Sequence, residues 1–376
     1  MQMAKFGENG NTITRTGVLG MPRILSVGTA VPPHTVSQEA SRQFTQQFFQ
    51  ESFPDIERYL QVFANSRVEK RHFCVPLSWF STPHTTTEKN QLYIEHACQL
   101  GVEAITRCLN KIGLSAEDID CLLVVTSTGI STPSIDARLL NLLPLREDIT
   151  RIPLWGLGCA GGAMGLSRAA DYARAFPDSL VLLLSVELCG LTFVQNDRSK
   201  SNLIATSLFA DGAAAVLVAG DEVAARHANN SSSPSISGSR TVTWKDSLDV
   251  MGWDVTDDGL KVIFSRDIPS LVKQRMRSAV EQFLDRHQTS LPQITHFVLH
   301  PGGAKVLTAY QHSLDIEPER LQPAHQVLQA YGNMSSPTVL FVLEKQIELS
   351  WQSGEKGLVA ALGPGFSCEL LYLQQE

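Results

Sequence analysis

Apolar residues recur at helical spacing from Ala104 to Leu109, give way to a polar loop, and then run unbroken through Leu122-Leu-Val-Val125. An amphipathic helix, a short loop and a buried strand are predicted from that pattern. The same pattern returns from Ala279 to Leu284 and on into Phe297-Val-Leu299, at a constant offset of 279 − 104 = 175 residues. In that register Ile105 matches Val280, Leu109 matches Leu284, Ser115 matches Ser290 and Ile119 matches Ile294, without a gap. Apolar residues are common enough for any one match to be chance, but a run in one register is an internal repeat.

Carried further, the offset sets Cys159 on Met334, beside Asn333. Gly156-Leu-Gly-Cys-Ala-Gly-Gly162 and Tyr331-Gly-Asn-Met-Ser-Ser336 each read as a tight turn entering an apolar helix. Apolar strands follow both, at Leu180 to Ser185 and at Gly357 to Leu362. Two halves of alternating helix and strand predict an α/β fold of stacked layers related by a pseudo-twofold axis, with the two helix starts facing one pocket. The halves are expected at 22–228 and 241–376. A Ser/Asn-rich linker or loop is expected at 229–240, and a disordered, polar tail at 1–21.

Composition narrows the function. A net charge of −7 argues against a nucleic-acid surface. The longest apolar run, Ser179 to Val186, is of strand length, far short of the roughly 18–20 residues of a membrane-spanning helix. Seven cysteines without a CxxC pair fit neither a disulfide framework nor a zinc site, so a reduced, cytoplasmic protein without a bound metal is expected. No GxxxxGK[ST] pattern suggests a nucleotide.

Three residues carry candidate chemistry. Cys98, Cys108 and Cys121 sit inside predicted helix or strand and read as small core hydrophobes. Cys159 is set apart by glycines at a predicted helix start, where exposed N–H groups and the helix dipole favour a thiolate. His300 follows the buried strand and precedes Pro301-Gly-Gly303, at the carboxyl end where α/β proteins place ligands; its bland alternative is a strand-end histidine bonded to backbone. Asn333 alone would be a turn residue, but the repeat sets it opposite Cys159. A thiol that accepts an acyl group from a thioester, with imidazole and amide donors for an enolate, suits decarboxylative Claisen condensation with a malonyl thioester and requires no metal or redox cofactor.

In order along the chain, Gly158-Cys-Ala-Gly-Gly162, Leu208-Phe-Ala-Asp-Gly-Ala-Ala-Ala215, His300-Pro-Gly-Gly303, Tyr331-Gly-Asn-Met-Ser-Ser336 and Gly363-Pro-Gly365 resemble the type III polyketide synthases, the chalcone and stilbene synthase superfamily. The resemblance runs from about Pro22 to the C-terminus and implies a thiolase-like five-layered αβαβα fold, a homodimer, and malonyl-CoA with an acyl-CoA starter as substrates. It implies Cys159, His300 and Asn333 as the catalytic triad and Phe209 as an aromatic gatekeeper. Thr192 and Ser335 would line the cavity, Gly363 and Pro364 would shape it, and Thr132 would reach into the partner's cavity. For the CoA phosphates the resemblance implies Arg58; Gln61 and Asn65 stand where relatives carry basic residues, and Lys70, Arg71 and Lys305 are candidates to compensate. Cys189, Ala160 and Val262, the last at a second gatekeeper position, depart from the plant pattern; the small residues Cys189, Thr128 and Ala160 are similar to bacterial members that open a tunnel for fatty-acyl starters and release alkylpyrones or alkylresorcinols. A strand-end core thiol is the alternative for Cys189. Rival readings are a 3-oxoacyl-ACP synthase III, a cysteine hydrolase and a non-catalytic acyl-binding paralogue.

Overall fold

A computed structural model describes residues 20–226 and 233–376; most of the expected tail, 1–19, lies outside them. The first half contributes β1 (Arg23–Ala30), β4 (Cys121–Thr126), β5 (Thr150–Trp155), β6 (Leu180–Leu188) and β7 (Asp211–Ala219), in the order β1-β7-β6-β4-β5. The second contributes β8 (Ser235–Thr243), β11 (His296–Leu299), β12 (Lys356–Gly363) and β13 (Ser367–Gln374), in the order β8-β13-β12-β11. β4, β6, β7 and β1 repeat the strand senses of β11, β12, β13 and β8: the first two parallel, the others antiparallel. The two sets meet at one pair, Arg23 with Ser235.

Five layers result. α3 (Thr86–Asn110) covers the outer face of β1, β6 and β7. α8 (Ile268–Arg286) packs on β13 and on α9 (Ala304–Leu314) at the other outer face. Between the sheets lie α5 (Gly161–Ala175), which touches strands of both, and α11 (Thr338–Ile347). Sandwiching explains why every residue of β6 and β7 is buried. The two central helix starts touch: a Cβ on Gly162 would stand 2.1 Å from the Ser336 carbonyl oxygen.

The 175-residue repeat is visible in three dimensions. β4 and β11 begin at Cys121 and His296, and the 3-10 turns before them begin at Ala116 and Leu291, both pairs 175 apart (296 − 121 and 291 − 116). Ser115 and Ser290 cap those turns with the same reciprocal box, to Asp118 and Gln293. The expected linker at 229–240 differs. Residues 229–232 lie outside the described residues, and Ser235 to Arg240 open β8, a strand inside the sheet. Its Ser/Gly composition hides the alternation, while β13 supplies the backbone partners.

The remaining elements roof the site or fill the edges. α1 (Gln38–Phe49), α2 (Ile56–Asn65) and α6 (Lys200–Leu208) pack together, beside the hairpin of β9 (Met251–Thr256) and β10 (Gly259–Phe264). β2 (His34–Ser37) pairs with β3 (Lys70–Phe73). α4 (Ile135–Leu139) and α7 (Asp221–Arg226) are short, and α10 (Gln322–Tyr331) leads into the Asn333 turn. Among the described residues no helix is long and apolar enough to cross a membrane.

Candidate active site

Cys159 occupies a 3-10 turn, Gly158–Ala160, that runs directly into α5. Its Sγ lies 3.5 Å from the Ser335 hydroxyl on the opposing helix start. Asn333 is fixed by backbone on both sides: its N–H donates to Leu208 O (2.8 Å), and its carbonyl accepts from Ala210 N–H (2.9 Å). In its side chain, Oδ1 accepts the Ser335 N–H (2.8 Å) and Nδ2 donates to Gly302 O (3.3 Å), and its second amide hydrogen faces the Cys159 thiol. His300 is seated by its N–H donating to Ala360 O on β12 (2.9 Å), and both ring nitrogens are buried without a partner. Burial drives its pKa down to about 3, so the imidazole is neutral.

The thiol departs from the expectation of an easily formed thiolate. Burial raises its pKa to about 11, hydrogen bonding with Ser335 and Asn333 draws it partly back, and the charge of Glu187 pushes it up again. Glu187 lies buried near the end of β6, and sequence reasoning missed it. Its Oε2 accepts from Ser127 N–H (2.9 Å) and Thr128 Oγ1 (2.8 Å), and its Oε1 from Ser336 Oγ (2.8 Å). Gly158 N–H in turn donates to Ser127 Oγ (3.0 Å), so one polar network underlies the nucleophile turn. Desolvation raises Glu187 to about 7. Its signal was readable: one acid inside the apolar run Leu180-Val-Leu-Leu-Leu-Ser-Val-Glu-Leu188.

Two cavities bracket the site. A cleft of about 540 Å³ runs past Gly302 and Gly303, and its wall carries four exposed cations, Arg58, Lys200, Arg266 and Lys305. Arg58 and Lys305 were expected there; Lys200 and Arg266 were not, because they lie far apart in sequence. Gln61 and Asn65 also face the cleft. Arg71 does not compensate for them. It is 2% exposed, donates to the Phe209 carbonyl (2.8 Å) and faces the buried Asp211 carboxylate. Asp211 accepts the N–H groups of Gly190 (2.7 Å) and Cys74 (2.9 Å). Lys70 lines neither cavity.

The second cavity is narrow, about 60 Å³, and mostly apolar. Cys189, Thr192, Phe209, Trp253 and Val262 line it. Cys189 is close enough to Cys159 that charge on one opposes charge on the other. The Phe209 ring stands 6.3 Å from Phe264 on the cleft and 6.1 Å from Trp253 on the narrow cavity, between the two spaces. Trp253, a wall residue not anticipated, pairs across the hairpin with Val262, so bulk absent from β10 is present on β9.

Other expected residues lie elsewhere. Thr128 is tied to Glu187 and does not line the narrow cavity. Ala160 packs under the Gly363-Pro364 turn, where a Cβ on Gly363 would stand 2.6 Å from its own. Its small side chain therefore serves that contact and does not widen a tunnel. Pro364 in turn crowds Gly158, which places the Gly363-Pro364 turn against the nucleophile. Thr132 is exposed on the loop after β4 and lines neither cavity of its own chain.

Comparison with known proteins agrees with this geometry. Residues 10–222 match the N-terminal domain of chalcone and stilbene synthases, and 241–375 match the C-terminal domain. The Bacillus subtilis protein named "Putative chalcone synthase" is 46% identical over 362 residues, covering 95% of this chain and 99% of its own. The 1,3,6,8-tetrahydroxynaphthalene synthase of Streptomyces peucetius is 34% identical, covering 93% and 92%. The crystal structure of the Streptomyces coelicolor tetrahydroxynaphthalene synthase superposes with a TM-score of 0.87 at 24% identity over 94% of this chain and 99% of that one, a likeness of fold. Taken with the thiol and amide at two facing helix starts, and with an imidazole two residues from the Gly302 carbonyl that accepts from Asn333, these matches place the chain in the chalcone and stilbene synthase family, as an acyl-transferring type III polyketide synthase.

Proposed function

We propose that the enzyme loads a medium- or long-chain fatty acyl group from its CoA thioester onto Cys159, extends it with malonyl-CoA and releases a pyrone or a resorcinol. The observation that carries the starter class is the apolar cavity beside Cys189 and Phe209, on the far side of the gate from the cationic cleft. The cleft's cations suit the CoA phosphates, and Gly302-Gly303 leads from it to His300.

In loading, the Cys159 sulfur forms a bond to the acyl carbonyl carbon as its proton passes by way of His300 to the CoA sulfur; the carbon–sulfur bond to CoA breaks and CoA leaves as the thiol. In extension, the bond from the malonyl methylene carbon to its carboxylate breaks and carbon dioxide leaves. The thioester enolate oxygen then takes hydrogen bonds from His300 and Asn333. The enolate carbon bonds to the acyl carbon and releases the Cys159 sulfur. These steps call for CoA thioesters as substrates and for no resident cofactor.

We also read the enzyme as a homodimer. β5 is an edge strand of the sheet, and Ile130, Leu142 and Trp155, all more than half exposed, lie on it or on nearby loops. Thr132, two residues from Ile130, is then placed to reach the partner's cavity. Seven unpaired cysteines support a cytoplasmic setting.

The test is product analysis with malonyl-CoA and a series of saturated acyl-CoAs beside coumaroyl-CoA. Each buried methylene contributes about 0.8 kcal/mol, so kcat/KM should climb with chain length. Cys189→Phe should lower the ratio of long- to short-chain kcat/KM. Preference for coumaroyl-CoA, or product formation from malonyl-CoA alone, would overturn the starter class.

A further inference from the structure

We propose that three phenylalanines, Phe44, Phe80 and Phe193, plug the far end of the narrow cavity and set the longest starter the enzyme accepts; the inference rests on the fatty-acyl reading above. The cavity opens at Cys189, Gly190 and Phe209, and these three rings wall it at α1, at the 3-10 turn Leu77–Ser81 and just after the turn Cys189–Thr192. Their centroids stand 6.3 Å (Phe44–Phe80), 6.1 Å (Phe44–Phe193) and 5.9 Å (Phe80–Phe193) apart, each pair edge to face. Rings at that separation are in contact, so no alkyl chain passes between them at rest.

Beyond two of the rings lies more space. A separate pocket of about 80 Å³, lined by Trp79, His84, Lys89, Gln195 and Asp258, shares Phe80 and Phe193 with the narrow cavity. The partition between the buried cavity and that pocket is therefore made of side chains from separate elements, with no backbone ladder across it. The backbone at Phe193 is anchored independently of its ring: its N–H donates to Gly190 O (3.1 Å), and its carbonyl accepts from Lys89 Nζ (2.8 Å). Removing the ring leaves those bonds in place.

The consequence is a length limit. A chain threading past Cys189 gains about fourfold in kcat/KM per methylene (about 0.8 kcal/mol converted at room temperature) until its end meets the rings. Past that point an added methylene must displace a ring or fold back, and the gain stops. Without the rings, the chain end continues into the polar pocket.

The experiment measures kcat/KM along a saturated acyl-CoA series for the wild type, Phe193→Ala, Phe80→Leu and Phe193→Trp. Each result is read as the long- to short-chain ratio within one variant, which cancels any loss of folded enzyme. The expected result is a wild-type plateau that moves to longer chains in Phe193→Ala and Phe80→Leu, the ratio rising by at most about fourfold for each methylene that fills the vacated ring space, and to shorter chains in Phe193→Trp. If the wild type uses saturated acyl-CoAs but the plateau stays fixed in all three variants, the plug is refuted while the starter class stands. If the wild type rejects every saturated acyl-CoA, the starter class falls and the plug with it.

Discussion

The two halves of the molecule bring the same helix start to one pocket and furnish it differently. In the first half the turn before α5 carries Cys159, above a buried carboxylate at the end of β6. In the second, the turn before α11 carries Asn333 and Ser335, and the end of β12 is apolar, Ala361-Leu362. Met334, which answers Cys159 in the repeat, is wholly buried. One half thus holds the group to be acylated, on a base that opposes its ionisation; the other holds neutral donors. Repetition preserved the path of the backbone, and the side chains at its two turning points diverged.

The comparison breaks most completely at Cys159. Cys159→Ala should abolish acyl transfer from CoA, measured as free CoA released, because no residue of the second half occupies the matching position with a nucleophile. Any remaining transfer at the wild-type rate would remove Cys159 from the mechanism.

Stability supplies the next largest effect. Arg71 and Asp211, both buried, face each other; desolvation moves them to about 9 and about 6, each drawn back by the other's charge. Arg71→Met removes the charge facing Asp211 and the bond to the Phe209 carbonyl, and denaturant unfolding should show a loss of about 1–3 kcal/mol. A loss below 1 kcal/mol would mean that the pair is solvated or replaceable.

Glu187 sharpens the contrast through pH. Its carboxyl is raised from 4.5 to about 7 in the fold, so its contribution is full below pH 4.5 and is lost as the pH rises through 7. Glu187→Gln should flatten the fall in stability across that window. The same change removes a charge that pushes the Cys159 thiol up towards 11, so alkylation of Cys159 by iodoacetamide should shift to lower pH. An unshifted alkylation profile would show that burial alone sets the thiol.

Smallest are the effects at the cleft. Lys200→Ala or Arg266→Ala should raise KM for acyl-CoA only a few-fold, less at high salt, because exposed cations are screened. A fall in kcat instead would place these residues at the reacting atoms.

Much of this architecture was legible because apolar periodicity repeats in register: β4 with β11, and the capped turns at Ser115 and Ser290 before them. What stayed hidden depends on contacts distant in sequence. β8 is a strand by virtue of β13, since Ser235-Ile-Ser-Gly-Ser239 alternates too weakly to announce one. The dipole argument at Cys159 was local and omitted burial, which reverses the direction of the shift, and the charge of Glu187, which adds to it. Thr128 and Ala160 look like cavity residues by size alone, but their space is taken by Glu187 and by Gly363. The ring at Trp253 compensates for Val262 only across the β9–β10 pairing.

The division of labour between the halves is tested most directly by Asn333→Ala, given acyl-CoA and malonyl-CoA together and followed by intact-protein mass with carbon dioxide release. The expected result is enzyme carrying one acyl group on Cys159, with decarboxylation slowed about 100- to 1000-fold by loss of one enolate donor. Unloaded enzyme, or loaded enzyme that still decarboxylates malonyl-CoA at the wild-type rate, would contradict it.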